Sequence, residues 1–177
     1  MRRLLGLAGP AGAGKDTAAN ILKELYGYES LAFAGVLKGM LNVAGVLEPR
    51  REDKEAVNPA WGFSYRHAAQ TLGTEWGRAL HPDFWVQATQ RQLETMKGHV
   101  VITDVRFENE ARMIRRSGGV VVHITGRRTA LSEATAAHAS EAGLAHLIWD
   151  ENLRNDGTLP QLTANIGDLL QRIYHGG

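Results

Sequence analysis

A glycine-rich loop near the amino terminus has the spacing of a phosphate-binding site. Residues 9–17 read GPAGAGKDT and directly follow the apolar run Leu4–Ala8. Glycines at this spacing let backbone N–H groups turn towards phosphate oxygens, and the helix that starts behind them adds the positive end of its dipole. Lys15 is placed to neutralise charge on the outer phosphates of a nucleoside triphosphate. The candidate phosphate-binding residues are Gly9, Gly12, Ala13, Gly14, Lys15, Asp16 and Thr17.

The residue after Lys15 departs from the usual pattern. Ser or Thr normally stands there and places its hydroxyl on Mg²⁺, whereas this chain has Asp16 followed by Thr17. Two roles stay open for Asp16. It contacts Mg²⁺, directly or through water, with Thr17 as the alternative oxygen donor, or it only complements the helix dipole. Both residues are therefore candidate metal ligands.

A second group of candidate residues follows the apolar run His99–Thr103. Asp104 ends this run, at the place where an aspartate of nucleotide-binding P-loop proteins holds Mg²⁺. Its alternative role is to cap the helix that follows. Arg106 comes two residues later and can bind a phosphate through two parallel hydrogen bonds. Asp104 and Arg106 are therefore candidates for a site that handles charged phosphates.

The run Val120–Thr125 also ends beside basic residues. Arg127 and Arg128 follow it and lead into a polar stretch of small residues. We expect a mobile lid over about residues 126–143, which would bring the charge of Arg127 to a phosphate that is being transferred. The alternative is that both arginines are solvated surface residues.

These residues need a scaffold of alternating strands and helices. Apolar and β-branched runs predict strands at Leu4–Ala8, Ser30–Phe33, His99–Thr103, Val120–Thr125 and Ile148–Trp149. Helical spacing predicts helices at Lys15–Leu25, through Leu37, Leu41 and Val43, and at Tyr65–Leu80, Phe84–Met96, Asn109–Arg116 and Thr158–Tyr174. This alternation predicts a three-layer α/β fold, in which a parallel sheet carries helices on both faces. Ligands in such sheets bind beyond the carboxyl ends of the strands.

Composition limits the classes of function. The 177 residues suit one domain, and the net charge of +1 provides no strong field for binding nucleic acid. Cysteine is absent, which excludes disulfides, thiolate metal sites and thiol nucleophiles and fits the cytoplasm. No apolar run approaches the ~20 residues of a membrane span. We therefore expect no stable nucleic-acid partner and no membrane partner.

Several longer segments resemble the bacteriophage deoxynucleoside monophosphate kinases, within the wider group of P-loop nucleoside monophosphate kinases. The segments are GPAGAGKDT at 9–17, FAGVLK at 33–38, QTLGTEWGR at 70–78, ITDVRFENE at 102–110, HASE at 138–141 and NDG at 155–157. One position departs from the family pattern, because Gly35 stands where Asp is expected.

The resemblance implies transfer of a phosphate from ATP, with Mg²⁺, to a (deoxy)nucleoside 5′-monophosphate. It implies one P-loop kinase domain over residues 1–177, with an acceptor-binding insertion at about 33–98. Catalysis would depend on Lys15, Asp104, Arg106 and Arg127, and Arg127 would also contact the donor. The acceptor would lie among Lys38, Gln70, Thr74, Glu75, Trp76, Arg78 and Arg106. A phage-encoded enzyme would act in the host cytoplasm, and a homodimer is as compatible with such folds as a monomer.

Two other functions stay open at this point. One is a P-loop kinase for another small metabolite, such as dephospho-coenzyme A, phosphomevalonate or a sugar acid, which would share the donor site and differ in the acceptor pocket. The other is a module that binds ATP without catalysis, which would lack an acceptor.

Overall fold

The computed structural model describes residues 2–126 and 146–175. The chain divides into two compact units, Met1–Leu31 with Leu93–Gly177, and Ala32–Gln92. The described strands are β1 (Leu4–Ala8), β2 (Tyr28–Leu31), β3 (Val57–Asn58), β4 (Phe63–Ser64), β5 (His99–Val105), β6 (Val120–Thr125) and β7 (Glu151–Arg154). The described α-helices are α1 (Lys15–Tyr26), α2 (Phe33–Val43), α3 (Tyr65–Gln70), α4 (Phe84–Thr95), α5 (Glu108–Arg116) and α6 (Leu159–His175).

The described part of the first unit contains one parallel sheet in the order β2-β5-β1-β6-β7. Every residue of the central strand β1 is buried, which explains why its sequence is a continuous apolar run rather than an alternating one. The predicted strands Leu4–Ala8 and Val120–Thr125 are confirmed with the same bounds.

Helices cover both faces of this sheet. Leu5 and Leu7 of β1 belong to one core cluster with Leu22 of α1 and Ile166 of α6. Side chains alternate along a strand, so Gly6 faces the other side. A side chain at Gly6 would overlap Ile114 of α5, which shows that α5 packs closely on that second face. The predicted three-layer α/β fold is confirmed for the described residues.

Two predicted strands are wrong in position. The second strand is Tyr28–Leu31 rather than Ser30–Phe33, because Ala32 leaves the sheet and Phe33 is a buried first residue of α2. The last strand is Glu151–Arg154 rather than Ile148–Trp149. This strand lies at the sheet edge, where one buried residue is enough, and its sequence is therefore mostly polar. Ile148 is 69% exposed and lies outside the sheet.

The second unit contains α2, α3, most of α4 and the short antiparallel pair β3–β4. Its core is formed by Leu37, Leu41, Tyr65 and Trp85. The helix predicted over Tyr65–Leu80 is present, but its middle is not an α-helix. Residues Thr71–Arg78 form a π-helical segment that continues α3.

Candidate active site

The phosphate loop connects the carboxyl end of β1 to the first turn of α1. Gly9, Gly12 and Gly14 have φ angles of 141°, 80° and 94°, which glycine adopts readily and other residues rarely do. Gly14 immediately precedes α1, and the helix follows without a side-chain cap. Because the first N–H groups of a helix have no carbonyl partner within the helix itself, the start of α1 is suited to binding an anion.

Lys15 lies over this loop. Its Nζ donates hydrogen bonds to the carbonyl oxygens of Gly9 at 2.7 Å and Pro10 at 2.9 Å, and the side chain is half-buried. These bonds connect the start of α1 back to the start of the loop. They place a positive charge where the loop backbone turns.

The loop is packed against the neighbouring strands β6 and β7. A side chain at Gly9 would come within 2.8 Å of the carbonyl oxygen of Ile124 in β6. A side chain at Gly14 would overlap the side-chain amide of Asn155. The two glycines are thus required for close packing as well as for their φ angles.

Asn155 holds the loop directly and is not among the site residues predicted from the sequence. The residue is 5% exposed, and its Nδ2 donates to the carbonyl oxygen of Ala13 at 2.8 Å. Its own N–H donates to Thr125 at the end of β6, at 2.7 Å. Asn155 directly follows β7, so a correct position for that strand would have drawn attention to it.

Asp104 reaches the same edge of the sheet through an irregularity in β5. Gly6 pairs with Ile102, but Ala8 pairs with Val105, so Thr103 and Asp104 together lie opposite Leu7. Such a bulge changes the direction of a side chain, and bulges are frequent next to active sites. Asp104 is half-buried and lies one residue before the end of the strand, not at its end as predicted.

Arg106 follows β5 and has a fixed backbone. Oε2 of Glu110 accepts hydrogen bonds from the N–H groups of Arg106 at 2.8 Å and Phe107 at 3.1 Å. Glu110 is only 3% exposed, so its carboxylate is held in place by these contacts at the start of α5. The backbone that follows Asp104 and carries Arg106 is therefore held in one conformation by Glu110.

His123 of β6 lies near the loop, in register with Ala8 of β1. Burial lowers the pKa of His123, a hydrogen bond with Asn152 partly offsets this, and the charge of Lys15 lowers the pKa further. The ring stacks on Trp149, with centroids 4.1 Å apart. The ring of His123 therefore takes up a proton only at a lower pH than an ordinary histidine does.

The second unit carries the predicted acceptor residues except Arg106, which lies in the first unit. Gln70 ends α3, and the π-helical segment carries the others except Lys38 and Arg106. Their exposed members are Gln70, Thr74, Glu75 and Trp76, while Arg78 is half-buried.

Lys38 of α2 is exposed and pairs with Glu48 at 3.1 Å. Glu48 also binds Lys54 at 2.5 Å. Burial raises the pKa of Glu48, but the hydrogen bonds from Lys54 and Lys38 outweigh it and hold the pKa below its ordinary value. An acceptor phosphate at Lys38 would therefore compete with a carboxylate.

Several predictions fall outside the structure. Arg127 and the predicted lid, apart from Gly126, lie outside the described residues. In residues 2–126 and 146–175, no group of three or more His, Cys, Asp or Glu side chains could hold a metal ion. No helix in those ranges is long and apolar enough to span a membrane.

Together, a phosphate loop after the central strand of a parallel sheet and helices on both faces define a P-loop kinase fold. A shikimate kinase from Acinetobacter baumannii, solved with shikimate, has the same fold, with a TM-score of 0.54, 15% identity, and coverage of 99% of this chain and 95% of that one. At this identity the likeness concerns the fold alone.

Residues 50–166 match the family model described as deoxynucleotide monophosphate kinase. A protein of Acanthamoeba polyphaga mimivirus with the same family name is 32% identical over 183 residues, which cover 92% of this chain and 93% of the relative. The deoxynucleotide monophosphate kinase of Escherichia phage RB69 is 31% identical over 129 residues, or 70% of this chain and 51% of the relative. The chain belongs to the deoxynucleotide monophosphate kinase family, and the resemblance seen in its sequence is confirmed.

Proposed function

We propose that this chain transfers the γ-phosphate of ATP to a deoxynucleoside 5′-monophosphate and releases ADP and the deoxynucleoside diphosphate. The observation that carries the proposal is the phosphate loop, with Lys15 held on the carbonyl oxygens of Gly9 and Pro10, in a member of this family. The loop accounts for the triphosphate donor, and the family accounts for the acceptor.

The donor phosphates bind to the loop and the start of α1. Backbone N–H groups of the loop and of the first helical turn donate to the phosphate oxygens. Lys15 exchanges its bonds to the loop carbonyls for bonds to the outer phosphates, because those oxygens carry full negative charge whereas the carbonyls do not. Gly9, Gly12, Ala13 and Gly14 shape this cradle, and Asn155 and Ile124 support it from behind.

The residues present fit a magnesium ion. Mg²⁺ usually takes one or two protein carboxylates and completes its shell with water and substrate phosphates. Asp16 and Thr17 are exposed in the first turn of α1, and Asp104 is half-buried near the end of β5. We assign the ion to these three residues, and when bound it neutralises charge on the phosphate oxygens.

The protein contributes alignment and charge rather than covalent chemistry. The attacking oxygen of the acceptor phosphate is already ionised at neutral pH, so no side chain needs to remove a proton. Lys15 and Arg106 lower the barrier by stabilising charge that spreads over the transferred group. Arg127 takes the same role from the segment that follows β6. The bond from the β–γ bridging oxygen to the γ-phosphorus breaks, and the acceptor oxygen forms the new bond to that phosphorus.

We assign binding of the acceptor nucleotide to side chains of the second unit. Lys38 and Arg78 offer positive charge to the monophosphate, while Gln70, Thr74, Glu75 and Trp76 offer polar groups and one half-exposed ring to the nucleoside. Apart from the half-buried Arg78, these side chains are exposed, which supports the assignment because a binding residue must reach the ligand.

The test is ADP release from ATP and Mg²⁺ across a panel of deoxy- and ribonucleoside monophosphates. Lys15→Ala is the active-site variant, and Lys23→Ala is its control, because Lys23 lies on the same helix in its exposed last turn. We expect at least one deoxynucleotide to stimulate release more than its ribonucleotide counterpart. Lys15→Ala should lower turnover by orders of magnitude without loss of the fold, whereas Lys23→Ala should behave like the wild type.

Two results would contradict the proposal. Near-normal turnover in folded Lys15→Ala would remove the lysine from the mechanism. Binding of ATP without stimulation by any nucleotide would exclude a nucleotide acceptor and leave another metabolite kinase or a non-catalytic ATP-binding module.

A further inference from the structure

The helix that carries most predicted acceptor residues has an unusual geometry. Thr71–Arg78 form a π-helical segment of eight residues directly after α3. In a π-helix each N–H bonds to the carbonyl five residues back, and most known examples are single turns close to functional sites. A run of this length needs side-chain contacts that stabilise it against the ordinary α-helical register.

Two glycines of this segment lie against the core of the unit, beside Leu72. A side chain at Gly73 would come within 2.9 Å of Cδ1 of Leu37. A side chain at Gly77 would come within 2.5–2.7 Å of three atoms of the Trp85 indole. Gly77 is buried. Because both glycines lack a side chain, Leu37 and Trp85 of the core pack directly against the helix backbone.

Trp85 of α4 contacts both glycines. Its Nε1 donates a hydrogen bond of 2.8 Å to the carbonyl oxygen of Gly73, and the edge of its ring fills the space above Gly77. Trp85 is 5% exposed, and Phe84 packs edge-on against it with centroids 4.9 Å apart. One rigid side chain thus holds two points of the π-helical segment, four residues apart.

The same stretch carries candidate acceptor residues that solvent reaches. Gln70, Thr74 and Glu75 are exposed, and Trp76 is 42% exposed although its ring also lies against Phe84 and Trp85, with centroids 5.3 Å and 6.4 Å apart. The angle between two side chains around a helix depends on the number of residues per turn, so a change from π to α geometry would rotate Trp76 and Arg78 relative to Gln70. The register of the segment determines which of these side chains can meet one ligand.

We propose that Trp85 is a positioning residue for the acceptor nucleotide: its contacts with Gly73 and Gly77 hold Thr71–Arg78 in the π-helical register that presents the acceptor-binding side chains. Trp85 itself is buried and acts through the segment. This inference rests on the proposed function, because it concerns the binding of the acceptor in that reaction.

The first test compares Trp85→Phe with Trp61→Phe in the wild-type chain. Phenylalanine keeps an aromatic ring but lacks the N–H that binds Gly73 and the ring edge above Gly77. Trp61 is a matched control, because it lies in the same unit, is 46% exposed and packs on Phe63 instead. We expect Trp85→Phe to raise KM for the deoxynucleotide about three- to tenfold, the range that one lost hydrogen bond supports. KM for ATP should stay within twofold, and Trp61→Phe should change neither constant.

A second test measures the stability of the π-helical segment itself and does not depend on enzymatic activity. Hydrogen–deuterium exchange should become faster for the amides of residues 71–78 in Trp85→Phe, while those of β1 and β6 keep the wild-type rate. Gly77→Ala tests the same contact by changing the residue opposite Trp85, because the added methyl group collides with the indole. It should raise the acceptor KM in the wild-type background and add less in the Trp85→Phe background, because Cζ2 and Nε1 of the indole, two of the three atoms nearest to the new methyl group, are absent there.

The outcomes separate this inference from the function on which it rests. Failure of the wild-type chain to phosphorylate any nucleotide would refute the proposed function, and the acceptor role of Trp85 with it. A wild-type chain that transfers phosphate, combined with unchanged acceptor KM and unchanged exchange in Trp85→Phe, would refute the role of Trp85 alone. Equal increases in KM for ATP and for the acceptor would show general structural damage and would also overturn it.

Discussion

Removal of the Asn155 side-chain amide should loosen the phosphate loop. The bond from Nδ2 to the carbonyl oxygen of Ala13 is 2.8 Å long, and both residues are buried. Asn155→Ala leaves that carbonyl without its partner in a place that water reaches poorly, which costs about 1–3 kcal/mol of unfolding free energy. Asn165→Ala is the matched control, because the same type of bond, 2.9 Å long to Arg154, is exposed and its acceptor can bind water. Its cost should be at most about 0.5 kcal/mol, because the higher helix propensity of alanine inside α6 offsets part of the lost bond.

Two measurements check this prediction. Urea unfolding of the two variants gives the difference in stability, and initial rates give KM for ATP and for the acceptor. Because Ala13 belongs to the loop, Asn155→Ala should raise KM for ATP and leave KM for the deoxynucleotide near the wild-type value. This is the reverse of the pattern expected for Trp85→Phe. Equal stabilities of the two asparagine variants, or an unchanged KM for ATP, would refute the conclusion that Asn155 holds the loop.

Two further substitutions test local physical arguments. Gly35 lies in the first turn of α2, and a side chain there would approach only Ala32, at 4.0 Å. Gly35→Asp should therefore raise the unfolding free energy by about 0.5–1 kcal/mol, because aspartate has a higher helix propensity than glycine and its charge complements the helix dipole. Gly35→Lys lacks the favourable charge and should raise it less. An Asp variant that is less stable than the Lys variant in urea unfolding would contradict this reasoning. Burial, above all, holds the pKa of His123 below its ordinary value of 6.5, so the unfolded chain takes up a proton before the folded one. Stability should fall as the pH decreases from about 7 to 5, and less steeply in His123→Gln; identical slopes in unfolding experiments across this range would show that His123 does not contribute.

Local signals in the sequence predicted the conformation of the phosphate loop and of the elements on either side of it. An apolar run, glycines that must adopt positive φ, and a lysine at the helix start all lie within Leu4–Thr17, so neighbouring residues determine the conformation. The same holds for Val120–Thr125, where β-branched residues fill a buried strand. These elements have the predicted bounds or bounds that differ by a residue or two.

Short polar elements and long-range contacts were harder to predict. Glu151–Arg154 has one buried residue, so its pattern carries little strand signal beside the apolar but exposed pair Ile148 and Trp149. Asn155 acts on Ala13, which lies 142 residues away in the sequence. A contact between residues so far apart in the sequence cannot be predicted from the pattern around either residue.

The geometry of the π-helical segment also could not be predicted from local sequence. Residues Thr71–Arg78 have ordinary helical spacing, so a helix was predicted there correctly, but its π-helical geometry was not. The register depends on Trp85, twelve residues beyond Gly73, and on the lack of side chains at two glycines. A sequence pattern read along one helix contains no information about this partner.

The most direct test of the central claim follows the phosphate itself. ATP labelled with ³²P in the γ position is mixed with Mg²⁺, excess protein and one deoxynucleoside monophosphate, and the products are separated by chromatography within a single turnover. Direct transfer predicts that the label appears in the deoxynucleoside diphosphate at the rate at which ADP forms, and that Lys15→Ala abolishes this transfer. Label that appears only in inorganic phosphate, or no label in any nucleotide acceptor, would contradict the account.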